Sequence, residues 1–213
     1  GIAEACTALE IPITGGNVSF YNETLGRSID PTPVLGVLGM LEDASRALGM
    51  AFRDEGDEII LLDGRAPLKT VAENEAREFS SSEYARTIHG IVAGAPPAVD
   101  LAAEKRLIGL LVALANEGAL QSAHDVSDGG LAVTLAESCF ASNGLSAHVS
   151  LGGDEPIEAA LFGERGARAV VSVTPGNLAH VLSIAAQYEV VAHKAGRVTR
   201  SSEFRIELND GLN

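Results

Sequence analysis

The chain has 213 residues, 46% hydrophobic and 21% charged, which supplies a buried core and excludes a disordered polymer. Its formal charge of −14, from 15 basic and 29 acidic side chains, repels phosphate polymers and excludes nucleic-acid binding as a main role. No apolar run approaches the ~20 residues of a membrane span, and nothing resembles a signal peptide. Cys6 and Cys139 form no zinc spacing or disulfide framework; buried free thiols in a cytoplasmic protein are expected.

Gly1 to Glu10 carries Ile2, Ala5, Cys6 and Leu9 at helical spacing with no cap in front. With no initiator methionine, the chain is expected to be a piece of a longer protein. After the apolar step at Ile11–Ile13, residues 15–33 have loop composition. The apolar run from Pro33 to Leu41 predicts a strand buried on both faces, and Glu42 to Leu48 a short helical connector. A domain boundary is expected there, giving residues 1–43 and 44–213.

Asp57 to Leu62 predicts the opening strand of the second domain, while residues 65–80 show no single period. Ser82 to His89 reads as a short helix or turn, and Gly94–Pro97 breaks regular structure. Asp100 is an N-cap for a helix to about Glu117, with Leu107, Ile108, Leu111, Val112 and Leu114 on its apolar face. Then follow a strand (Ala119–Ala123), a loop (His124–Gly130) and a helix (Leu131–Phe140). A strand at Leu145–Leu151 precedes a short helix at Ile157–Leu161. A strand at Ala169–Val173, a helix at Asn177–Gln187 and strands at Val190–Val198 and Phe204–Leu208 complete the chain. The alternation predicts an α/β or α+β domain around a mixed sheet.

Three stretches stand out, two of them for the chemistry they could carry. In Thr14-Gly15-Gly16-Asn17-Val18-Ser19-Phe20-Tyr21-Asn22-Glu23-Thr24, two glycines permit close backbone approach and exposed N–H groups suit phosphate oxygens. Asn17 offers a neutral oxygen to Mg²⁺ and Ser19 a hydroxyl to a ligand. No Gly-Lys-Ser/Thr follows, so this is not a P-loop, and Gly-Gly-Asn is also ordinary turn chemistry.

In His124-Asp125-Val126-Ser127-Asp128-Gly129-Gly130 a strand gives way to a helix start, where an α/β sheet commonly binds anions. Asp125 and Asp128 suit a metal bridging phosphates; alternatively Asp128 caps the helix, the favoured reading for that residue, and Asp125 forms an Asx-turn. His124 reads as a general base beside two aspartates or as a half-buried residue satisfied by backbone, the second being favoured because no nucleophile lies nearby. The other histidines are scattered. The third stretch, His89 to Asp100, looks like a fixed loop serving as a lid or an interface and has no chemistry of its own.

In order, Ile13–Thr24, the Ile29-to-Val37 strand entry, Ser82-Glu83-Tyr84, His89–Leu107 and His124–Ala132 resemble phosphoribosylformylglycinamidine synthase, and most closely its smaller, separately encoded synthetase subunit. The resemblance runs from residue 1 to about 208. It implies a protein of two similar halves, each with a barrel-forming N-terminal domain and a C-terminal α/β domain. Residues 1–43 would be the end of the second N-terminal-type domain, and 44–213 the second C-terminal domain. The family uses ATP to phosphorylate the amide oxygen of formylglycinamide ribonucleotide; ammonia from a glutaminase partner, with a small bridging subunit in many bacteria, then displaces phosphate.

Carried over by resemblance, Gly16 contacts ATP, Asn17 binds Mg²⁺ and Ser19 contacts the substrate. His124, Asp125 and Asp128 belong to the pseudo-symmetry mate of the active site, which in some members of the family holds a nucleotide. The catalytic histidine belongs to the missing first half, so no catalytic residue is assigned here, and the chain alone is expected to be inactive. Phe79-Ser80-Ser81-Ser82-Glu83-Tyr84 places serines where the family commonly has a glycine pair, which opposes close ligand approach at the mate site. Aminoimidazole ribonucleotide synthetase and selenophosphate synthetase are alternatives in the same superfamily, and a non-catalytic assembly module is an alternative of another class. The Gly-Gly-Asn-Val-Ser stretch favours the amidine synthase. An unpaired Val34–Leu41 edge invites self-association.

Overall fold

The computed structural model describes residues 1–19, 21–65, 79, 81–152 and 156–209. Most of the 65–80 stretch, together with Phe20 and Ser80, lies outside them. The chain divides into two compact units, Gly1–Ser45 and Arg46–Asn213.

In the first unit, helix α1 (Ile2–Leu9) ends on Glu10, whose left-handed backbone (φ 59) lets its neighbourhood close onto Cys6 O and Thr7 O. Strands β1 (Glu23–Thr24) and β2 (Arg27–Ser28) form an antiparallel hairpin inside the stretch expected to be a loop. Leu25 and Gly26 make its two-residue turn, with φ of 51 and 73, the backbone that matches strand twist.

The strand expected over residues 33–41 does not form. The segment has no regular structure, and Val34, Leu38 and Met40 are 92%, 94% and 91% exposed. An apolar run becomes a strand only when its N–H and C=O groups meet a ladder partner, and β1 and β2 pair with each other. The expected connector at 42–48 contracts to one 3-10 turn, Ala44–Arg46, where Asp43 Oδ1 accepts from Ser45 N at 2.9 Å.

The second unit is built on strands β3 (Glu58–Asp63), β4 (Ser122–Asp125), β5 (Ser146–Gly152), β6 (Arg168–Val173), β7 (Val191–Thr199) and β8 (Arg205–Asn209). They form one sheet in the order β4-β6-β3-β7-β5-β8, antiparallel throughout except for the parallel pair β5–β8. The mixed-sheet α/β expectation holds. Helices α2 (Glu83–His89), α3 (Leu101–Glu117), α4 (Gly130–Phe140), α5 (Ile157–Phe162) and α6 (Leu178–Gln187) supply the rest. No helix among the described residues is long and apolar enough to cross a membrane.

Alternation along β3 builds two cores. Ile60 and Leu62 join Leu107, Leu110 and Leu114 of α3 and Val181 and Ala185 of α6. Ile59 turns the other way, onto Leu131 and Leu135 of α4 and Val149 of β5. A sheet strand with period-two side chains requires this split.

Helix α3 begins where expected, with the Asp100 carboxylate accepting from Ala102 N and Ala103 N, and so satisfying two orphan donors. Its buried stripe is Ala103, Leu107, Leu110 and Leu114. Ile108 and Val112 of the expected face are 48% and 55% exposed. The helix is rotated because apolar residues nearly encircle it, and the sheet selects the stripe that fits its groove. Cys6 and Cys139 are free and half-buried rather than fully buried; burial pushes the Cys139 thiol up.

Leu110→Ala, at a site of 0% exposure, should cost about 2–5 kcal/mol in urea unfolding. Ile108→Ala on the same helix should cost less than about 1 kcal/mol. Equal losses would mean that the buried stripe of α3 is misassigned.

Candidate functional site

The first candidate loop lies in the first unit. Residues 14–19 are exposed and carry no regular structure. Ser19 Oγ donates to Tyr21 O at 3.2 Å, and Asn22 Nδ2 donates to Ser19 O at 3.1 Å, so the segment closes on itself just ahead of the β1–β2 hairpin. Tyr21 Oη donates to Glu23 Oε2 at 2.8 Å, a bond that holds the phenol above its usual range. Gly16 has open space around it and no left-handed backbone, so nothing within the unit requires glycine there. Gly16, Asn17 and Ser19 thus sit together on one exposed loop.

The second loop is delivered by β4, an edge strand pinned to β6 by the buried Ser122 Oγ–Ser172 Oγ contact of 2.6 Å. His124 at its end is held by two carboxylates, Asp125 Oδ1 at 3.2 Å and Glu137 Oε2 at 3.0 Å. The half-buried reading of His124 is right, but its partners are acidic side chains, not backbone. Burial pushes Asp125 up, yet hydrogen bonds from Ser127 and His124 outweigh it and hold the carboxyl below the usual range. Thr134 Oγ1 bonds both Asp125 O and Gly130 O at 3.1 Å, tying the loop to the first turn of α4.

Asp128 does not cap α4. Gly129 occupies the N-cap with φ 78, and its N–H donates to Glu164 Oε1 at 2.7 Å. The cap position needs a left-handed residue that aspartate adopts only at a cost, and the acceptor arrives from a distant segment. Asp128 is exposed, and its charge adds to the larger effect of Glu83 in holding Arg86 above its usual range. Glu164 Oε1 also accepts from Glu83 N at 2.8 Å, so one carboxylate oxygen bridges the starts of α2 and α4. Gly130 has φ 67, and a Cβ there would lie 2.8 Å from Leu161 O and Phe162 Cα.

The Glu164 segment is itself anchored. Phe162 stacks on Tyr84 with centroids 4.8 Å apart, and Arg168 Nη2 donates to Gly163 O at 2.6 Å. Arg165 grips Asp63 with two hydrogen bonds, one at 3.0 Å. Burial pushes Asp63 up, but Arg165 outweighs it and leaves the carboxyl below the usual range.

Ser82 N-caps α2 by accepting from Ala85 N at 3.2 Å, and its own hydroxyl donates to Phe79 O at 2.8 Å. Ser82 thus builds a helix start, while Ser81 Oγ donates to Ala95 O at 3.4 Å. The 89–100 stretch is held by Arg65 Nη2 donating to Ala98 O at 2.8 Å.

Beside the loop, a cavity of about 470 Å³ opens between α3 and the ends of β4 and β6, with Leu107 and Leu111 on one wall and His124, Asp125 and Ser127 on another. Among the described residues no group of three or more His, Cys, Asp and Glu side chains is arranged to hold a metal.

Sequence reading missed Glu137 and Glu164. Glu137 falls on the turn of α4 above His124, and helical spacing alone does not single it out. Glu164 lies between Gly163 and Arg165, which reads as turn chemistry; its contacts are 35 and 81 residues away.

Residues 54–209 match the family described as AIR synthase related protein, C-terminal domain. The phosphoribosylformylglycinamidine synthase subunit PurL of Thermobifida fusca (strain YX) is 44% identical over 202 residues, 95% of this chain and 25% of its own length. The corresponding subunit of Caldanaerobacter subterraneus subsp. tengcongensis is 41% identical over 209 residues, 98% of this chain and 27% of its own. The chain thus spans about a quarter of the length of the curated relatives it matches. Among solved structures, T. maritima PurL complexed with FGAR has a TM-score of 0.62 at 18% identity, covering 78% of this chain and 28% of that one. The PurLQS structure from Thermotoga maritima has a TM-score of 0.55 at 18% identity, covering 78% and 26%. At such identities the structures show a shared fold.

The Asp63–Arg165 pair sets a pH dependence. Because Asp63 is depressed below its ordinary 3.8 in the fold, its contribution is present above that value and is lost as pH falls through the lower folded value. Asp63→Asn should lower stability by about 1.5–3 kcal/mol at pH 7, and the difference from wild type should shrink steadily below pH ~4. A difference independent of pH in urea melts would show that charge is not the source.

Proposed function

The chain belongs to the AIR synthase related protein, C-terminal domain family, and we propose on that premise that it works as part of a phosphoribosylformylglycinamidine synthase. The observation that carries this reading is the 44% and 41% identity to named synthetase subunits across nearly the whole chain. The reaction proposed for the complete enzyme converts an amide to an amidine. ATP phosphorylates the amide oxygen of formylglycinamide ribonucleotide, ammonia adds to the activated carbon, and the C–O bond breaks to release phosphate.

Residues 1–43 take the role of the closing part of a barrel-forming domain, and residues 44–213 that of the C-terminal α/β domain. Gly16 contributes backbone to ATP, Asn17 a ligand to Mg²⁺ and Ser19 a hydroxyl to the substrate. Asp125 and Asp128 face nucleotide at the second loop. No catalytic residue is assigned to this chain, which acts with the other half of the same enzyme, a glutaminase and a bridging subunit in the cytoplasm.

The donor chemistry fits a hard cation. Asn17 offers one neutral oxygen on an exposed loop, and Asp125 is kept ionised at neutral pH. At each loop taken separately, a single protein oxygen suffices for Mg²⁺ when phosphates and water complete its shell. When bound, the ion neutralises phosphate charge during transfer. Ser19 is held by its bond to Tyr21 O, which orients the hydroxyl oxygen as an acceptor toward a ligand.

One observation favours a second reading, an assembly module that binds no nucleotide at the second loop: the Gly129 N–H is already bonded to Glu164.

The test supplies the preceding part of the subunit as a separate chain, with ammonia, Mg·ATP and formylglycinamide ribonucleotide. Neither part should release phosphate alone, and the mixture should. Ser19→Ala should raise KM for the ribonucleotide about tenfold, the loss of one hydrogen bond. Turnover by this chain alone, or a Ser19→Ala mixture with unchanged kinetics, would sink the assignment. The exposed 34–41 segment should also make the isolated chain self-associate at micromolar concentration, and a clean monomer by light scattering would count against that.

A further inference from the structure

Anion sites of α/β sheets work through free N–H groups at a helix start and through glycines that let an oxygen come close. The Asp128–Gly129–Gly130 turn has both features, and in this chain both are already used. The Gly129 N–H is bonded to Glu164 Oε1 at 2.7 Å, and the same oxygen takes the Glu83 N–H at 2.8 Å. The space that Gly130 leaves open is filled by backbone, since a Cβ there would meet Leu161 O and Phe162 Cα at 2.8 Å.

We propose that Glu164 is a built-in competitor for the anion position of this loop, so that a phosphate group reaches the Gly129 N–H only when the Glu164 carboxylate withdraws. The inference rests on the reading of residues 124–130 as a nucleotide loop and adds how that loop is closed. A carboxylate oxygen and a phosphate oxygen ask the same thing of an N–H donor. Two such oxygens cannot share the Gly129 N–H at full strength, and their like charges repel at short range in a partly buried site.

The surrounding charge acts in the same direction. Asp125 is held ionised beside His124, and Asp128 stands exposed at the loop. Arg86, which feels the charge of Asp128, is engaged by Glu83 with Nε at 2.9 Å from Oε2. Free phosphate therefore meets three carboxylates, whereas a nucleotide that brings a divalent cation offsets them. The packing of Phe162 on Tyr84 and the grip of Arg165 on Asp63 hold Glu164 in place from both sides.

The experiment follows the amide resonances of Gly129 and Glu83 in the ¹⁵N-labelled 213-residue chain during titration with inorganic phosphate and with Mg·ADP. Glu164→Ala removes the competitor. Glu164→Asp withdraws the charge by one methylene and is the safer variant for folding, which melting curves check. Both variants should bind Mg·ADP at least about tenfold more tightly than wild type, as expected if the open form is populated about one time in ten. Their Gly129 amide should shift saturably. Wild type and variants binding with equal affinity through Gly129 would overturn the competitor while leaving the nucleotide loop intact. Folded variants whose Gly129 amide ignores both probes would overturn the competitor and the nucleotide loop together.

Discussion

Strand β3 bonds to β6 on one side and to β7 on the other, and Ile59, Ile60 and Leu62 along it are fully buried. Two cores hang on this double engagement, because consecutive residues of one strand feed opposite faces of the sheet. The candidate loop hangs on it too. β6 is buried along its whole length and carries β4 on its far edge, and β4 delivers His124 and Asp125. The glycine turn then meets the 161–164 segment because that segment leads directly into β6. Ladder pairing in the middle of the sheet therefore sets the geometry of a loop two strands away.

The same requirement explains the apolar run at 33–41. Its composition is that of a buried strand, and its side chains are exposed because no ladder receives them. Composition reports what a segment is suited to, and pairing decides whether it does so. The α3 helix makes a related point. Its start was legible because Asp100 and its two N–H partners are neighbours in sequence, a purely local interaction. Its buried face was not, because Leu107, Ile108, Leu110, Leu111 and Val112 leave several stripes of similar hydrophobicity. The β1–β2 hairpin went unseen for a local reason: Leu25-Gly26 is not the Asn-Gly or Asp-Gly pair that announces such a turn.

At the candidate site, legibility ended where chain distance began. The His-Asp-Val-Ser-Asp-Gly-Gly stretch announced a strand-to-helix turn with anion chemistry, and the turn is there, with both glycines left-handed. What it bonds was not readable, because the acceptor lies 35 residues on. The misassigned cap follows from the same limit. Aspartate before a helix is the ordinary N-cap, and only the fold reveals that Gly129 holds the position while a remote glutamate satisfies its N–H.

In an acidic chain, a loop proposed to take phosphate meets a field that opposes such a ligand. The arrangement here resolves that conflict within the fold. Left unbonded in a partly buried turn, the Gly129 and Glu83 N–H groups would each cost the desolvation of an unpaired donor. Glu164 satisfies both with one oxygen, and its charge lies at two helix starts, where the peptide dipoles favour an anion. The loop is thus stable without any phosphate. Under the proposed reading of this loop, a nucleotide would have to match a charged acceptor that is already positioned and carry enough positive charge to offset Asp125 and Asp128. That favours a metal-bound polyphosphate over a bare anion.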